Sequence, residues 1–112
     1  MTSEELNEFN GLSAEQQEEY RYQANKHPNW DHSKLMTRVG FSEKVDNIIE
    51  TQGDVDVNDK SIMQEILEGV GSWLERNVPR IWKGVKELFH NVLHRLIHGL
   101  IDTLGDVLRS FF

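Results

Sequence analysis

His90, His94 and His98 recur at every fourth residue near the C-terminal end of the chain. On a helix this spacing stacks three imidazoles along one side, where neighbouring pairs offer nitrogen ligands to a transition metal. No acidic residue completes an HExxH pattern with them, so a metal centre would lack its further ligands. Protonation is their more accessible chemistry. Charging all three takes residues 78–112 from a net +2 to +5 on acidification. The plainer reading makes them boundary residues of an amphipathic helix.

A second set of candidate ligands is Asp54, Asp56, Asn58 and Glu65. They fall at positions 1, 3, 5 and 12 of a twelve-residue loop, the spacing that wraps oxygen ligands around one calcium ion. Over these twelve residues the chain resembles the EF-hand proteins, and the resemblance implies a single weak calcium site. Asp59 stands where the sharp turn calls for glycine, and Ser61 replaces the usual apolar residue. The favoured reading is therefore a polar interhelical loop with no metal.

No catalytic residue emerges. His27, Asp31 and His32 cluster beside Trp30, next to Pro28, and read as turn and capping residues. Tyr20, Tyr22 and Trp30 offer either a recognition surface or, more ordinarily, packing across a small core. The carboxylates between residues 4 and 19 read as a solvated face. The chain has no cysteine, which removes disulfides, thiol catalysis and a cysteine-based zinc site. The expectation is a non-enzymatic protein without a cofactor.

The elements that position these groups are helices. Residues 1–12 form a polar segment that either frays or makes a short helix capped by Ser3. Residues 13–77 form an acidic helical body. Ser13 and Gln16 match a capping box, and the helix they open ends before Pro28. Asp31 opens a second helix, which meets Gly40 and either restarts at Ser42 or runs on towards Gly53. Asn58 is expected to cap a third helix and Asn77 a fourth, with Pro79 early in its first turn.

Residues 78–112 carry the strongest pattern. Val78, Trp82, Val85, Phe89, Val92, Leu96, Leu100, Leu104, Val107 and Phe111 recur in steps of three or four, an apolar seam that must be buried against something. One unbroken helix over this stretch would be about 50 Å long. A compact chain of this size spans only about 35 Å. The stepping slips at Gly99, which marks the expected break, and a projecting helix would otherwise need a partner. The fold class is all-α: a small bundle of four to five helices with a long amphipathic C-terminal helix or helical hairpin.

Charge narrows the partner. Residues 1–77 hold 7 basic and 16 acidic side chains, a net −9, whereas residues 78–112 hold 5 basic and 3 acidic, a net +2. An acidic body disfavours nucleic acid, which wants a basic face. The expected function is a helical interaction or assembly module. Its face comprises Trp82, Val85, Phe89, Val92, Leu96, Leu100, Leu104, Val107 and Phe111, meeting a second copy or a partner helix. The alternative is a membrane-surface or membrane-permeabilising helix, strengthened at low pH through His90, His94 and His98; a net +2 is weak for anionic lipid. The polar N-terminus and the absence of a long apolar run lead to a cytoplasmic expectation, with peripheral membrane location under the alternative.

Overall fold

A computed structural model describes residues 1–53 and 56–112. They form six helices: α1 (Ser3–Asn10), α2 (Ala14–Lys26), α3 (His32–Gln52), α4 (Lys60–Asn77), α5 (Pro79–Ile97) and α6 (Leu104–Phe111). No strand occurs among the described residues, so the all-α reading holds. Six helices replace the expected four or five because both ends of the chain add one. Residues 2–10 do not fray: Thr2, rather than Ser3, closes a capping box with Glu5. At the other end the amphipathic segment divides into α5 and α6.

That division has a local cause. Gly99 takes φ +74°, the left-handed conformation that only glycine adopts cheaply. Its N–H donates to the Leu96 carbonyl and the Leu100 N–H donates to the Arg95 carbonyl, the paired bonds of a Schellman stop. Thr103 then caps α6 by accepting the Asp106 N–H. Ile101, 1% exposed, pins the connecting turn to the core. The break lets the segment fit a body of 40 × 30 × 26 Å.

One open alternative is decided and two other local expectations are corrected. α3 runs unbroken through Gly40, which is placed where α4 presses closest: a Cβ there would sit 2.9 Å from the Trp73 ring. Asp59, not Asn58, caps α4, accepting the Ser61 and Ile62 N–H groups; the Asn58 side chain instead accepts the Leu104 N–H at the start of α6. Asn77 does not cap α5. It ends α4 and donates to the Trp73 carbonyl, and Pro79, having no N–H, begins α5 without a side-chain cap.

The core lies where α3, α4 and α5 meet, with α2 packed on α3 and α6 returning to α5. Met36, Phe41, Met63, Ile66, Leu74, Val92 and Val107 are fully buried. Phe89 and Phe111 approach with ring centroids 4.4 Å apart, and Phe41 lies 5.6 Å from Phe111. Phe112 stacks on Trp30 at 4.8 Å. The two terminal phenylalanines are thus consumed by the chain itself.

Candidate functional site

The seam of residues 78–112 separates into three groups once folded. Phe89, Val92, Leu96, Val107 and Phe111 are buried inside the chain's own core. Trp82, Val85 and Leu104 are half-buried and pack against that core. Leu100 is 68% exposed, just beyond the Gly99 turn. Ile97, on the flank of the seam, is 62% exposed.

One groove lies between α4 and α5, about 610 Å³ in volume. α4 contributes Leu67, Glu68, Gly71, Ser72 and Glu75; α5 contributes Trp82, Lys86, Glu87, Phe89, His90 and Leu93. The two helices meet at a tight corner at Val78, the residue shared by the end of α4 and the start of α5. Gly71 shapes the floor. A Cβ at that position would lie 3.0 Å from the Trp82 ring, so its absence lets the indole lie across α4. Trp82 in turn meets Phe89 edge to face at 5.6 Å. The groove therefore has an aromatic and aliphatic floor with charged groups on its banks.

The histidines do not converge on a metal arrangement. His90 lies on the groove's edge, while His94 and His98 are exposed and place their rings 4.3 Å apart. Among the described residues no group of three His, Asp or Glu side chains is arranged to hold a metal ion. Of the calcium candidates, Asp54 lies outside the described residues. Asp56 accepts the Asn58 N–H, the Asn58 side chain bonds to α6, and Glu65 faces Lys44 at 3.9 Å. The described candidates thus point to three different neighbours.

Sequence reasoning missed a polar hub that runs from the buried Tyr20 and His32 out to the exposed Arg80. Glu8 on α1 receives two hydrogen bonds from the Arg80 guanidinium of α5, at 2.7 and 3.2 Å. His32 at the start of α3 meets the same carboxylate through Nε2 at 3.0 Å, and its Nδ1 lies 2.8 Å from the Tyr20 hydroxyl of α2. With the proton on Nε2, the ring donates to Glu8 and accepts from Tyr20, satisfying all three groups. Burial pulls the Glu8 pKa upward, but the bonds from Arg80 and His32 outweigh it and hold the carboxyl below its ordinary value. Burial, with the nearby charges of Glu5, Asp31 and Glu8, pushes the Tyr20 phenol up to about 12.

The hub clasps α1, α2, α3 and α5 together. Its members are 24 and 72 residues from Glu8 in the chain, and no local pattern announces them. Asp31 does cap α3 as its position suggested, and His27 stacks on Trp30 at 3.7 Å.

No helix is long and apolar enough to cross a membrane among the described residues. Comparison with protein-family models, curated proteins and solved structures finds no match to this chain.

Proposed function

We propose that the protein is a non-enzymatic helical interaction module that docks a partner helix in the groove between α4 and α5. The observation that carries this reading is a groove whose floor shows the half-buried Trp82 and Leu93 to solvent, with the buried Leu67 and Phe89 beneath them. Concave apolar surfaces between helices are where amphipathic helices dock, through side chains spaced three and four residues apart. From Trp82 to Leu93 the track along α5 is about 16 Å long, room for roughly three turns of a second helix. The partner is another protein's helix or a second copy of this chain, in a cytoplasmic setting.

The test is selection of sixteen-residue amphipathic peptides against the immobilised protein. Binders should compete with one another and lose affinity when Ser72→Trp fills the groove from its α4 bank. A selection that yields no binder, or only binders indifferent to Ser72→Trp, contradicts the reading.

A membrane-surface role is the second reading, favoured by the exposure of Ile97 and Leu100 on the basic C-terminal segment. It would require much of the seam to leave the core before reaching lipid. Co-sedimentation with anionic liposomes that strengthens from pH 7.5 to 5.5 would support it, and no binding at either pH would reject it.

A further inference from the structure

The groove's charge identifies the chemistry of its occupant. Glu68 and Glu75 stand on the α4 bank seven residues apart, two helical turns or about 10.5 Å, with the small Ser72 between them. Glu87 lies on the α5 side, and the one full cation among the lining residues is Lys86. Among the described residues none of these four side chains enters an ion pair; every ion pair found involves other groups. An apolar floor thus carries a net −2 along its rim, in a chain whose overall charge is −7.

Resting on the docking function proposed above, we infer that the occupant is a basic amphipathic helix of another protein. It presents an apolar face to Trp82 and Leu93 and cations two turns apart to Glu68 and Glu75. A second copy of this chain is the poorer fit, because two bodies of −7 repel one another. Rim carboxylates outside any ion pair, Glu68 accepting only from the Gln64 amide, chiefly select the partner and speed its approach, while the apolar floor supplies most of the affinity.

The test uses the full chain and two stapled sixteen-residue peptides with the same leucine pattern, one with lysine and one with glutamate at the polar positions. Binding is measured by calorimetry at low and high salt, and the contact surface is mapped by amide chemical shifts. The lysine peptide should bind about fivefold to tenfold more tightly at low salt. Its shifts should centre on Gly71, Trp82 and Leu93. Glu68→Gln with Glu75→Gln should bring the two peptides close to parity without altering the circular dichroism spectrum, since both glutamates lie at the groove's solvent edge.

Equal binding of both peptides in the groove would overturn the basic partner while leaving the docking function intact. Binding of neither would overturn both. Binding of the lysine peptide elsewhere on the acidic surface, unaffected by Ser72→Trp, would also overturn the inference.

Discussion

Leu96 and Leu100 are the same residue type, four apart on one seam, and their truncation separates an internal seam from an external one. Leu96 is 2% exposed and Leu100 is 68% exposed. Leu96→Ala removes buried methyl groups and leaves a cavity walled by other helices, a change that costs about 2–5 kcal/mol, with ~3 as the central value. Leu100→Ala removes atoms that mostly meet water and should cost less than ~0.7 kcal/mol. For 112 residues the unfolding entropy is near ~235 cal/mol/K, so each kcal/mol moves Tm by about 4 °C. Leu96→Ala should therefore lower Tm by ~13 °C and Leu100→Ala by under ~3 °C.

The assay is thermal and urea unfolding followed by circular dichroism at several protein concentrations. The losses should be independent of concentration, because the groups around Leu96 belong to the same chain. Similar losses for the two variants, or a Leu96→Ala penalty that grows on dilution, would refute the reasoning.

Four other perturbations follow from the packing. Gly84→Ala, in exposed mid-helix with nothing within 4 Å of the new Cβ, should raise stability by about 0.5–1 kcal/mol. Gly40→Ala should lower it by about 1–2 kcal/mol in the same urea titration, since the new methyl meets Trp73 at 2.9 Å and Val70 at 3.2 Å. The Glu8 carboxyl has a lowered pKa in the fold, so its stabilisation is present above the unfolded value near ~4.3 and is lost as pH falls through the folded one. Glu8→Gln should accordingly be less stable than the parent at neutral pH and show a shallower decline below pH ~4.5. Tyr20, with its pKa pushed up to about 12, contributes stability that is complete below pH ~10 and lost as pH rises towards 12. Absorbance titration should find one phenol ionising near 12, and Tyr20→Phe should remove it.

The helical architecture was legible because its signals are local. Seam periodicity, the Ser13 capping box, the Asp31 cap and the slip at Gly99 each depend on residues within a turn or two of one another. Caps were misplaced by one residue where two acceptors stand side by side, as at Thr2–Ser3 and Asn58–Asp59. Which acceptor wins depends on the chain's path, and Asn58 is drawn towards α6.

The functional surface was legible only in outline. Periodicity marks Leu96 and Leu100 alike as apolar, but which one is covered is decided by the turn at Gly99. The groove forms where α4 and α5 pack through Gly71 and Trp82, and the Glu8 clasp joins residues far apart in the chain. Both are products of tertiary packing, and the separate halves of each look like ordinary polar or apolar helix residues.

Amide hydrogen exchange tests the central claim most directly, since that claim places the C-terminal seam inside its own chain and leaves the α4–α5 groove for a partner. The amides of Val92, Leu96 and Val107 should exchange only through global unfolding, at rates unchanged across a wide dilution series. Rapid exchange at these positions, or protection that disappears on dilution, would show that the seam is covered by something other than the chain itself.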